Sequence, residues 1–165
     1  MQSMQRQTGI SMVEVIIVMA IAAILATIAA PSFNDFISNT RLTSTMSQLT
    51  SDMNRARSEA IKRNSWILVC ARGTDTACGN NWNNGWLICQ DSEPNNTCDT
   101  GTAANPNPIT AHQAINANFV LTGSATSIRF NPNGTGGSGT LNLASGAKSR
   151  TANVAATGNI SVSNP

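Results

Sequence analysis

The sequence predicts an α+β protein in which one long N-terminal helix precedes a domain built mainly of antiparallel strands. Three observations carry this. An apolar run begins at Ile10, a four–three apolar stripe without Gly or Pro follows Pro31 as far as Asn64, and short apolar runs parted by Gly, Asn and Pro fill the remainder. With 165 residues, a membrane-embedded start would leave roughly 130 for a single domain with a modest core. The net charge of +2, with 11% charged residues, writes no polybasic attraction to nucleic acid or lipid into the composition. From Thr100 onward there is no Asp or Glu, which leaves the second half mildly basic.

The first element is the run Ile10–Ala30, 21 residues whose one charge is Glu14. As a helix rising 1.5 Å per residue it measures about 31 Å, the hydrocarbon thickness of a bilayer. Arg6 ahead of it favours a cytoplasmic N-terminus. The run is long for the core of an ordinary signal peptide, and a plain anchor leaves Glu14 without a reason. An ionisable group inside a span is costly and calls for a partner.

The second element is the stretch after Pro31, "SFNDFISNTRLTSTMSQLTSDMNRARSEAIKRN". Leu42, Met46, Leu49, Met53, Ala56 and Ala60 form one apolar stripe, and Arg41, Asp52, Arg55, Arg57, Glu59 and Lys62 lie mostly around the polar side. The stripe holds few large residues for a coiled coil, and the strands downstream need a helix to cover them, so it is read as packing on a sheet. The basic cluster Arg55, Arg57, Lys62 and Arg63 offers a nucleic-acid contact as an alternative, but Glu59 stands within helical range of Arg55, Lys62 and Arg63, so the cluster reads as a paired, solvated face.

Strands follow at "SWILVC", "GWLICQ", "NFVLT", "SIRFN", "TLNLA", "RTANVAA" and "NISVS". Residues 131–140 read as a flexible loop and residues 91–108 as a long insertion. Cys70, Cys78, Cys89 and Cys98 lack CxxC spacing, and the chain has one histidine, so disulfides are expected and a metal site is not. Four cysteines allow three pairings. Trp66, Trp82 and Trp86 read as core or loop-base residues, and His112 as an ordinary loop or surface residue. No phosphate loop, metal-ligand cluster or acid–base pair points to an enzyme or a cofactor.

A short polar leader ending in Gly9, then hydrophobic Ile10, Glu14 as the fifth residue beyond the cut and an apolar helix together resemble the class III signal of type IV pilins and pseudopilins. Ile10 stands where that family usually has Phe. The resemblance implies cleavage after Gly9 by a prepilin peptidase, methylation of the new N-terminus at Ile10, and a helix bend at Pro31. It also implies a contact between Glu14 and the N-terminal amine of a neighbouring subunit, an opposite charge that makes burial tolerable.

Further along, "ARSEAIKRNSWILVC", "NWNNGWLICQD" and "SIRFNPNG" resemble the FimT/FimU–GspH group of minor pilins and minor pseudopilins. This implies the type IV pilin fold, with residues 1–9 as leader, 10–31 as the membrane and assembly half of the helix, 32–64 as its amphipathic half and 65–165 as a periplasmic β-rich domain. Relatives with an aromatic or aliphatic residue in place of Cys89 imply that Cys89 pairs with Cys98, which leaves Cys70 to Cys78. The implied function is a minor pilin that primes pilus assembly and sits near the tip. Its partners would be other minor and major pilins and the inner-membrane assembly platform, and it would pass from the inner membrane to the cell surface. Two alternatives stand beside it: a minor pseudopilin of type II secretion, and a DNA-binding minor pilin for transformation. DNA-binding members carry Gly-Arg-x-Arg near the C-terminus. Here the place reads "TGNIS", with Asn159 and Ser161 at the arginine positions, and Arg129, Lys148 and Arg150 are the remaining candidate phosphate contacts. The structural role is therefore favoured over DNA binding.

Overall fold

The computed structural model describes residues 9–93, 95–99 and 107–164, except for the side chains of residues 28–32. The chain divides into two compact units, residues 1–38 and 39–165. Helix α1, Met12–Arg63, enters its first turn with Ser11 accepting a hydrogen bond from the Val15 amide and ends with Lys62 and Arg63 in the last turn. An acidic first turn and a basic last turn match the helix dipole at both ends.

In the first unit the large apolar side chains from Ile10 to Leu25 are exposed. Ile10, Met12, Val13, Val15, Ile16, Ile17 and Val18 are all exposed, Ile10 at 76%. Among the described residues no helix is long and apolar enough to cross a membrane. The end of the expected span, residues 10–30, and the bend expected at Pro31 both fall on residues 28–32, whose side chains lie outside the described part of the structure; the helix assignment itself continues through them.

In the second unit every member of the stripe is buried: Leu42, Met46, Leu49, Met53, Ala56 and Ala60. Each fully buried large side chain there contributes about 1.5–3 kcal/mol relative to exposure. The strands are β1 (Ile67–Ala71), β2 (Trp86–Gln90), β3 (Thr110–Ala111), β4 (Val120–Gly123), β5 (Ser127–Phe130), β6 (Gly139–Ser145), β7 (Lys148–Val154) and β8 (Ile160–Ser163), and a 3-10 turn covers Trp82–Asn84. They form two four-stranded sheets, ordered β3-β2-β1-β5 and β4-β6-β7-β8, and all pairings are antiparallel.

The seven expected strands are present, with ends shifted by up to two residues. The short β3 was not legible, because two residues carry no period. The division into two sheets was also not legible, because it depends on β5 pairing with β1 rather than with its sequence neighbours.

One core joins the helix stripe to both sheets through Ile67, Val69, Trp86, Ile88, Ile128, Phe130, Leu121, Leu141, Leu143 and Val154. β1 is buried on both faces. Its alternation sends Ile67, Val69 and Ala71 into that core and Leu68 and Cys70 into a second, smaller cluster with Leu87 and Cys89. A strand buried on both sides reads as a continuous apolar run, which is why "ILVCA" shows no alternation.

Candidate assembly site

Glu14 lies in the first turn of α1, exposed and ringed by exposed aliphatic side chains. Residues 9–11 precede the helix in open conformation. A Cβ added at Gly9 would meet nothing within 4 Å. Packing therefore places no demand for glycine there, and a requirement at this position has to come from outside the described fold. The arrangement is a helix start bearing one carboxylate on an otherwise apolar, unpartnered surface. Burying that surface leaves the carboxylate in low dielectric, where a cation arriving with the burying partner would offset its desolvation.

The folded unit behind this helix is tied together by side chains whose roles the sequence did not show. Asp52, within the stripe region of α1 and 5% exposed, accepts a hydrogen bond from the Trp86 indole Nε1–H at 3.0 Å. One face of Trp86 stacks on the His112 ring, with centroids 3.8 Å apart and planes 10° from parallel. His112, expected as a plain loop or surface residue, is thus half-buried and covers a core tryptophan. Arg57 donates from Nε to the Gly134 carbonyl at 2.8 Å and from Nη2 to the Thr157 carbonyl at 3.3 Å, fastening two loops to the helix. Neither partner could be identified from periodicity, because both are backbone oxygens more than 70 residues away.

The three candidate phosphate-binding cations fall in two places, Arg129 on β5 and Lys148 with Arg150 two residues apart on β7, where they line one pocket. Arg129 on β5 donates from Nη2 to Asp91 Oδ2 at 2.9 Å and to Asn96 Oδ1 at 2.7 Å, and its guanidinium lies 5.9 Å from the Trp66 ring centre. Asp91 is fully buried and also accepts from the backbone amides of Asn95 and Asn96. Arg129 therefore balances a buried carboxylate at the start of the long insertion. Arg150 on β7 bonds Asn164 and reaches Asn39 Oδ1 on α1 at 3.4 Å. Lys148, also on β7, is likewise engaged. On the helix, Glu59 pairs with Arg63 at 2.7 Å and with Lys62 at 3.7 Å. The hydrogen bond from Arg63 holds the Glu59 carboxyl below its ordinary value of 4.5, with Lys62, Arg63 and Arg55 adding attraction and burial opposing them.

The four cysteines form two bridges, Cys70–Cys78 and Cys89–Cys98, as the resemblance implied. Each fastens a loop to a strand of the β1–β2 pair. The bridges touch: Cys78 Sγ lies 3.9 Å from Cys98 Sγ.

The family described as "Type II transport protein GspH" matches residues 45–158, and the "Prokaryotic N-terminal methylation motif" matches residues 4–30. No curated protein matches. Among solved structures the chain is similar to type IV minor pilin FimU of Pseudomonas aeruginosa strain PAO1 in two crystal forms. The P21 form gives a TM-score of 0.56 at 21% identity, covering 78% of this chain and 92% of that one. The P65 form gives 0.53 at 21% identity, covering 74% and 92%. Likeness at that identity speaks for the fold, which is the α+β type IV pilin fold.

Proposed function

The chain belongs to the GspH family, and from that premise we propose that it is a minor pilin, cut after Gly9, methylated at Ile10 and built into a type IV pilus through its N-terminal helix. The observation that carries this reading is the methylation motif ending in an apolar helix with a lone first-turn carboxylate, Glu14, followed by a separately folded domain. The uncovered aliphatic surface of residues 10–25 needs the bilayer first and neighbouring helices afterwards. Glu14 then takes the N-terminal amine of an adjacent subunit as its counter-ion, which makes correct stacking cheaper than any register that leaves the carboxylate bare. Methylation leaves that amine cationic.

The role is structural: the subunit helps prime assembly with other minor and major pilins on an inner-membrane platform and stays near the tip. The FimU likeness in fold supports the pilus; the family's own description favours a second reading, a minor pseudopilin of type II secretion, with the same processing and the same Glu14 contact. DNA binding is disfavoured. Arg129 is committed to Asp91, Arg150 to Asn164 and Asn39, and "TGNIS" carries no cation.

Intact mass of the membrane-extracted protein tests the processing: loss of Met1–Gly9 with gain of one methyl group is expected, and a full-length mass overturns it. Glu14→Ala should leave the membrane-anchored, processed protein in place and remove it from sheared filaments. Recovery of the variant in filaments at the normal level would refute the assembly contact. Deletion that abolishes piliation selects the pilus, whereas deletion that spares piliation and stops protein secretion selects the pseudopilus.

A further inference from the structure

The two disulfides are not independent staples. Cys70 and Cys89 sit on adjacent strands, on the same face and diagonal to one another, because Cys70 pairs across with Leu87 and Leu68 with Cys89. Cys78 and Cys98 come from two different loops and meet over them. All four Sγ atoms lie within 4.8 Å of one another. A divalent ion held tetrahedrally by four thiolates at about 2.3 Å requires sulfurs about 3.8 Å apart along each edge. The Cys78–Cys98 edge already stands at 3.9 Å. Opening the two bridges lengthens the two short edges: Cys78, bridged by its backbone to Arg72, has side-chain rotation to do this, and Cys98 lies in a loop, while the strand-borne pair stays in register. Leu68, Leu87 and Ala111 wall the strand side of the cluster with apolar surface around buried Cys70 and Cys89, while Cys78 and Cys98 are half-buried on the loop side, where a metal can enter.

We propose that the four cysteines form a latent tetrathiolate site that takes one zinc ion when both bridges are reduced. Sequence spacing hides such a site, since Cys-x7-Cys and Cys-x8-Cys are not metal signatures; the β1–β2 pairing supplies the proximity. The chemistry is exclusive. Reduction delivers two electrons and two protons to each bridge, making four thiols. Binding of the metal releases those four protons to solvent and leaves a four-thiolate complex. Zinc and oxidant therefore compete for the same sulfurs, and the metal would hold the two loops on the sheet in the reduced chain as the bridges do in the oxidised one.

The test uses the full chain in detergent. A water-soluble phosphine reduces both bridges, taking its oxygen from water as it becomes the phosphine oxide. Cobalt(II) titration should then end at one equivalent with the intense visible absorption of tetrahedral cobalt thiolate, and zinc should displace it one for one. X-ray absorption of the zinc form should count four sulfurs. The Cys78→Ser, Cys98→Ser double variant should lose more than about a hundredfold in zinc affinity, beyond what outer contacts alone are worth. Octahedral cobalt spectra, fewer than four sulfurs, or a stoichiometry below one would overturn the proposal. So would equal affinity in concentrated urea, where binding would belong to the unfolded chain.

Discussion

Asp52 is the residue on which the core turns most sharply. It sits among buried aliphatic side chains and is tolerated because the indole N–H of Trp86 reaches it. Asp52→Ala removes the acceptor and strands that N–H in a dry site, so a loss of about 1–3 kcal/mol is expected in urea unfolding of the protein. Asp52→Asn keeps an acceptor and should cost less. Glu59 provides the pH-dependent counterpart. Its carboxyl titrates below the usual value in the folded state, chiefly through the Arg63 hydrogen bond. The stability it contributes is therefore present above about pH 4.5 and is lost as pH falls through the lowered folded value. Glu59→Gln should destabilise at neutral pH by about 0.5 kcal/mol, the scale of a helical pair, and match the wild type in strong acid. A stability difference that did not shrink between pH 6 and about pH 3 would refute the assignment.

At the scale of elements, α1 does more than cover a sheet. Through Arg57 it fixes the loop ahead of β6 and the turn between β7 and β8. Arg57→Ala should cost about 1.5–3 kcal/mol, the range for hydrogen bonds from a charged donor, and should speed amide exchange at residues 134–137 and 157–158 ahead of the rest. Gly158 serves the same junction. Its φ of +78° is left-handed, and a Cβ there would overlap the Gly134 carbonyl oxygen. Gly158→Ala should lose about 2 kcal/mol or more, and should do so even when Arg57 is intact. The β1–β2 pair is the other organising element. Its two bridges close loops of 8 and 9 residues, worth about 2–3 kcal/mol each by chain entropy, so metal-free reduction should lower the denaturation midpoint markedly.

At the scale of the whole molecule, the two units answer to different surroundings. Among the described residues, 39–164 bury most of their large apolar side chains internally, whereas residues 10–25 leave theirs bare. Detergent or lipid should therefore govern the solubility of the full chain while barely moving the unfolding of the folded unit. Near-UV circular dichroism of the buried tryptophans, followed across detergent concentrations, checks this. The expected result is an unchanged tryptophan signal at every concentration that keeps the chain dispersed.

Much of this was legible in the chain itself, wherever one element repeats a local rule. The stripe from Leu42 to Ala60, the strands with their own apolar runs, and the sequence Gly9-Ile10 to Glu14 could be read because period, length and motif are properties of neighbouring residues. Tertiary structure alone decided the rest. It split the strands into two sheets, set Asp52 beneath Trp86, laid His112 on that ring, spent Arg57 and Arg129 on distant partners, and gathered four cysteines into one cluster. Those outcomes depend on which strands pair and in what register, contacts between groups up to a hundred residues apart, and no local pattern encodes them. The sequence by itself determined what kind of subunit this is; the packing decided which of its charges and sulfurs are engaged.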